Sequence, residues 1–94
     1  MFKVEHLMWI NGVPELFSVN KTAHLFIKMR HGPEIYPCKL HLLNEKITLK
    51  NEFNLIREGE VFLDIVEKGI APGQFTAFYD ENQICLGSGI ISLL

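Results

Sequence analysis

Apolar and polar residues alternate in short runs along most of this chain, and turn-forming residues close each run. In residues 23–31, Leu25, Ile27 and Met29 share one face of an extended chain, while His24, Phe26, Lys28 and Arg30 share the other. Residues 35–43 repeat the pattern with Cys38, Leu40 and Leu42 inward and Lys39 and His41 outward; Pro37 near the start marks an edge or a bulge. Residues 61–66 set Val61, Leu63 and Ile65 against Phe62 and Asp64. Residues 2–10 are β-branched and aromatic enough for a strand, which Asn11-Gly12 and Pro14 end. Asn44-Glu45 predicts a tight turn into a short strand over 46–50, with Ile47 and Leu49 buried. The pattern is weakest over 51–59, where the spacing of Phe53 and Ile56 allows one helical turn.

Residues 71–91 carry the densest local instruction. Pro72-Gly73 is a turn pair, since proline presets one backbone angle and glycine accepts a positive one. Phe75, Ala77 and Tyr79 then alternate with Thr76, Phe78 and Asp80, and Asp80-Glu81-Asn82 supplies a hairpin turn. A return strand is expected over 83–86. Gly87-Ser88-Gly89 removes side-chain bulk where a second backbone passes closely or the strand bends, and a closing strand follows over 90–94. Further turn signals fall at Gly32-Pro33 and Lys68-Gly69. Many short strands with no convincing helix predict an all-β fold, either a sandwich or a small closed or partly open barrel of about six to eight short antiparallel strands. The barrel is favoured, because so short a chain has difficulty covering the edges of two separate sheets.

Composition narrows this only slightly. Ninety-four residues, 48% of them hydrophobic, fit one domain spanning 1–94 with a real core. No apolar run approaches the ~20 residues of a membrane-spanning helix, and Met1-Phe2-Lys3-Val4 leads straight into strand-like sequence, so a cytoplasmic protein with no membrane partner is expected. The net charge of -2 hides an asymmetry: residues 21–50 carry six Lys and Arg against two Glu, whereas residues 51–94 carry two against seven acids. The basic quarter is compatible with one anion-facing side, although solvated strand faces carry lysines without any partner.

Candidate chemistry is sparse. His6, His24, His31 and His41 fit no common metal spacing, and Cys38 and Cys85 fit neither a zinc nor a redox pattern. Ser88 lacks the glycine two residues earlier and the following helix of a nucleophile elbow, and its flanking glycines lack a dinucleotide fingerprint's third. No phosphate-cradling Walker loop is present. Residues alone argue against an autonomous enzyme.

Three ordered motifs nevertheless carry a resemblance: Ala71-Pro72-Gly73-Gln74, Phe78-Tyr79-Asp80, and residues 85–91 reading Cys-Leu-Gly-Ser-Gly-Ile-Ile. Together they resemble the C-terminal end of the tRNA 2-thiouridylases (tRNA-uridine 2-sulfurtransferases). Lys28-Met29-Arg30-His31, then Tyr36-Pro37-Cys38, is similar to the family's Lys-x-Arg-Tyr strand and the segment after it, and Trp9 fits its tryptophan near the start of the domain. Met8 stands where asparagine or histidine is common, Ser88 where the family has a middle glycine, and the 44–59 segment is longer than the family's short form.

The resemblance implies a C-terminal β-barrel similar to translation-factor domain II, belonging to a larger enzyme that thiolates the wobble uridine of tRNA. ATP and a persulfide sulfur donor are implied for that whole enzyme. No cofactor is implied for this domain, since the family's Ser-Gly-Gly-x-Asp-Ser loop and cysteine pair are not in the sequence. The implied partners are tRNA and the N-terminal catalytic domains of the same enzyme, with no DNA. The implied tRNA-binding residues are Arg30 and Gln74, which match the family's motifs. His31 stands in the tyrosine position, and Lys28 shares the outward basic face with Arg30. A rival reading is a scaffold barrel that packs on its own catalytic domains, for which an exposed apolar patch around Phe26, Phe62 or Phe78 would speak.

Overall fold

The computed structural model describes residues 1–17, 21–29, 34–43, 58–63 and 70–93. Among them the strands are β1 (Phe2–Trp9), β2 (Thr22–Lys28), β3 (Tyr36–Leu43), β4 (Glu58–Leu63), β5 (Phe75–Tyr79) and β6 (Cys85–Leu93), with one 3-10 turn at Glu15–Phe17. They close into a six-stranded barrel in the order β1-β4-β3-β2-β5-β6, every neighbouring pair antiparallel. The chain runs β2, β3 and β4 as a meander and β5 and β6 as a hairpin. β1 closes the cylinder between β4 and β6. The expected all-β barrel is the fold observed.

Alternation became strand where expected. Ala23, Leu25 and Ile27 of β2 and Cys38, Leu40 and Leu42 of β3 point inward, with Met29 buried beyond the end of β2. Val4, Ile27, Leu40, Val61, Phe78 and Ile91 are almost inaccessible, so the interior is filled by side chains, as in other small barrels. On β5 the inner face is Thr76 and Phe78. Thr76 is tolerated there because its hydroxyl donates to the Gly89 carbonyl at 3.3 Å. Pro37 pairs with Phe26 without a bulge, one residue beyond the last described β3–β4 pair, Cys38 with Leu63.

Three features depart from the sequence pattern. β4 begins at Glu58 rather than at residue 61. Its polar start is held by ladders on both sides, Gly59 lying opposite Val4 of β1 and Leu42 of β3, and these ladders override weak local propensity. The 85–93 segment is one strand, not two strands broken at the glycines. Gly87 and Gly89 stay in the ladder because β1 passes so close: a Cβ at Gly87 would collide with the Met8 carbonyl oxygen and lie 2.7 Å from Trp9 Cε3. In β1, an extra residue between Glu5 and Met8 forms a bulge, with His6 at φ 54. The bulge shifts the phase, so that Phe2, Val4 and Leu7 face the core while Met8 is exposed.

The expected turns at Gly32-Pro33 and Lys68-Gly69, the 46–50 strand with Ile47 and Leu49, the helical turn near Phe53 and Ile56, and residues 64–66 of the fourth strand lie outside the described residues. The Asp80 turn is clear: its Oδ1 accepts from Asn82 N at 2.8 Å and Ile84 N at 2.9 Å, and Gln83 takes φ 65.

Two glycine substitutions separate crowding from backbone strain. Gly87→Ala is expected to lower stability by about 1–3 kcal/mol through overpacking, a fall in Tm of roughly 10 °C for a domain of this size. Gly73→Ala, with open space but φ 93, should cost about 1 kcal/mol. Thermal unfolding of both variants checks the ranking, and an unperturbed Gly87→Ala would refute the close approach.

Candidate nucleic-acid interface

The turn before β5 is tied to β6 and to itself. Gly73 takes φ 93, as expected for the Pro72-Gly73 pair, and Gln74 N donates to the Ala71 carbonyl at 3.3 Å. Gly73 N donates to the Ile91 carbonyl at 2.8 Å, and Ile91 N donates to the Gln74 carbonyl at 2.9 Å. The Gln74 side chain adds a fourth tie, its Oε1 accepting from Ala71 N at 3.1 Å. One function of this glutamine is therefore to hold the turn.

Lys28 reaches the same place from β2. It pairs with Ala77 of β5, which in turn pairs with Ser88 of β6, so the three form a row across the outer wall. Beside that row lies a groove of about 530 Å³ lined by Lys28, Gln74, Phe75, Ala77 and Ser88, together with Met29, Gly73 and Thr76. Lys28 is the charged residue among these described lining residues, and none of them is acidic. A cation, an amide, a hydroxyl and an aromatic ring thus border one space.

Of the four residues anticipated from the sequence, Lys28 and Gln74 meet at this groove. Arg30 and His31 lie outside the described residues. Phe75 was not anticipated. It is 74% exposed, because the inner face of β5 is taken by Thr76 and Phe78. The sequence held only a partial signal: with Phe75 and Phe78 on opposite faces, one aromatic had to remain outside.

A second groove, of about 420 Å³, lies on the outside of β2, β3 and β4 and is lined by His24, Phe26, Pro37, Lys39, Phe62 and Glu81, among others. Lys39 Nζ sits 5.7 Å from the Phe62 ring centroid, a cation–π contact, and Glu81 brings a carboxylate to the rim. A polyanion is received less well here than beside Lys28. Of the three aromatics whose exposure would speak for the scaffold reading, Phe78 is fully buried in the core and Phe62 is 38% exposed. Met8, Ile10 and Ile84 are more exposed than Phe62; Met8 and Ile10 lie along the β1–β6 seam, where Ile10 N donates to the Leu86 carbonyl, and Ile84 directly precedes β6.

Other reactive groups are dispersed. His41 Nδ1 lies 2.7 Å from Thr22 Oγ1, and His6 Nε2 lies 3.4 Å from Glu5 Oε1. No group of three or more potential metal ligands forms among the described residues. Cys38 is buried on β3, and Cys85 is half-buried on β6, a strand that does not adjoin β3. Gly87-Ser88-Gly89 is ladder strand packed against Met8 and Trp9, so it offers no loop of free N–H groups to a nucleotide's phosphates. No described helix is long and apolar enough to cross a membrane.

This barrel, with the groove on its outer wall, defines a small β-barrel module. The aminomethyltransferase beta-barrel domain family matches residues 1–91, and the chain belongs to that family. It is also similar to the tRNA-specific 2-thiouridylase MnmA of Shewanella amazonensis, with 27% identity over 92 residues. That match covers 98% of this chain but only 20% of the relative, so the chain spans about one fifth of that protein's length. The resemblance read from the motifs is thus recovered over nearly the whole chain.

The turn role of Gln74 can be isolated from any ligand role. Gln74→Ala is expected to cost about 1 kcal/mol by removing the acceptor for Ala71 N. Gln74→Glu keeps an oxygen acceptor and should stay within about 0.5 kcal/mol of the parent. Urea unfolding of both proteins measures the difference, and equal destabilisation would remove the Oε1 contact from the account.

Proposed function

We propose that this chain is a non-catalytic tRNA-positioning barrel, the C-terminal module of a larger enzyme that 2-thiolates the wobble uridine of tRNA. The observation that carries the reading is the meeting of Lys28 and Gln74 at one groove with no acid among its described lining residues. The two reach it from distant parts of the chain, and both stand in the motifs that suggested RNA contact. In this reading Lys28 and Arg30 attract phosphate, Gln74 and His31 offer hydrogen bonds, and the barrel brings Lys28 and Gln74 to one groove. ATP and the persulfide sulfur act on the catalytic domains, which are the barrel's second partner. The barrel's own contribution is to orient the RNA, so the isolated chain turns over neither ATP nor tRNA.

A second reading is supported by Met8, Ile10 and Ile84, whose exposure suits a face that packs on another domain of the same enzyme. In that version Met8→Ser and Ile10→Ser, not changes at Lys28 or Gln74, weaken association with the catalytic region.

Titrating tRNA against the chain at several salt concentrations tests the first reading. Weak binding that falls steeply with salt is expected. Lys28→Ala and Arg30→Ala should each reduce the affinity several-fold and lower the log–log salt slope by about one. Gln74→Glu should weaken binding while preserving stability. Identical affinities across the parent and these variants would remove the residues from the RNA interface and favour the packing role.

A further inference from the structure

We infer that the groove beside Gln74 receives one unpaired nucleotide, with its base stacked on Phe75. The inference rests on the tRNA-positioning reading and specifies which part of an RNA the groove takes. Phe75 is the most exposed of the large apolar side chains described, at 74%, ahead of Met8 at 69% and Met1 at 64%. It is not stranded at a frayed end, because the backbone on either side is hydrogen-bonded: Gln74 to Ile91, and β5 to β6 from the Phe75–Ile90 pair onward. A rigid aromatic ring is therefore presented outward on a braced strand, which is what a stacking platform requires.

The surroundings specify what stacks there. Two residues along β5, Ala77 is small and leaves a shallow floor, with Lys28 on the β2 side and Ser88 on the β6 side. The space of about 530 Å³ is in the ordinary size range of sites for small organic groups. A ligand that uses all of it has a flat ring for Phe75, polar edges for Ser88 and the Gln74 amide, and a negative charge for Lys28. A nucleotide combines the three. An apolar side chain from a protein partner would use the ring but give Lys28 nothing to neutralise. Within an A-form duplex the base faces are covered by their neighbours, so only an unpaired nucleotide can lay its face on Phe75. The second groove lacks this combination, since Glu81 opposes phosphate there and Lys39 already lies over the available ring.

The test uses the whole chain, Phe75→Ala and Phe75→Trp, each titrated with tRNA, with a short oligouridylate and with a blunt RNA duplex of the same length. Because the side chain is exposed, both variants should melt within a few degrees of the parent. Phe75→Ala is expected to weaken oligouridylate and tRNA binding about ten-fold, with Phe75→Trp restoring both, and the duplex should bind at least about ten-fold more weakly than the single strand. Oligouridylate should also shift the backbone amide resonances of Lys28, Phe75, Ala77 and Ser88. If the parent binds tRNA and Phe75→Ala binds it equally well, the stacking inference falls while the tRNA reading stands, and the ring becomes a contact for protein. If the parent binds oligouridylate through Phe75 but not tRNA, the tRNA reading falls and the nucleotide groove stands. Equal binding of duplex and single strand, or no binding of any RNA, overturns the inference.

Discussion

The fold depends on the approach of β6 to β1. A six-stranded sheet has two edges unless its first and last strands meet, and here they meet so tightly that Gly87 has room for no side chain beneath the Met8 carbonyl and the Trp9 ring. Trp9 joins the seam to other elements: its ring lies 5.8 Å from that of Phe17 in the 3-10 turn and 6.3 Å from that of Phe78 on β5. The bulge at His6 allows the same seam to bury Leu7 on one side and expose Met8 on the other. Seam, bulge and aromatic cluster are one constraint expressed in three places.

The candidate interface inherits its geometry from that constraint. β6 is fixed against β1, and through Ile91 it fixes the turn that presents Gln74. β5 is fixed between β6 and β2, which sets Lys28, Ala77 and Ser88 in a row and turns Phe75 outward. These side chains are assembled because the strands that carry them are neighbours in a closed sheet.

Charge divides the outer wall along the same lines. β2 and β3 carry His24, Lys28, Lys39 and His41 and no acid, whereas Glu58, Glu60 and Glu81 follow later in the chain. Both grooves border the basic strand β2 and differ in whether an acid is among their described lining residues. One has Lys28 and no described carboxylate, and the other has Lys39 facing both an aromatic ring and Glu81. Membership of the aminomethyltransferase beta-barrel domain family accounts for the shared barrel, and the particular side chains on its wall give this chain its own surface.

The sequence by itself determined the all-β class, the faces of β2 and β3, and the Pro72-Gly73 and Asp80 turns. These follow from period-two burial and from turn chemistry, both of which act within a few residues. Motif order also pointed to Lys28 and Gln74, though not to their meeting. Only the tertiary structure decided which face of β5 enters the core, because Phe75 and Phe78 give both faces an aromatic and burial is settled by what lies opposite. It alone decided that Gly87 and Gly89 continue a strand rather than break one, since the reason for them is the backbone of β1, some eighty residues away in sequence. The bulge at His6 and the early start of β4 likewise come from ladders with distant partners. Contacts that distant leave no periodic trace in the local sequence.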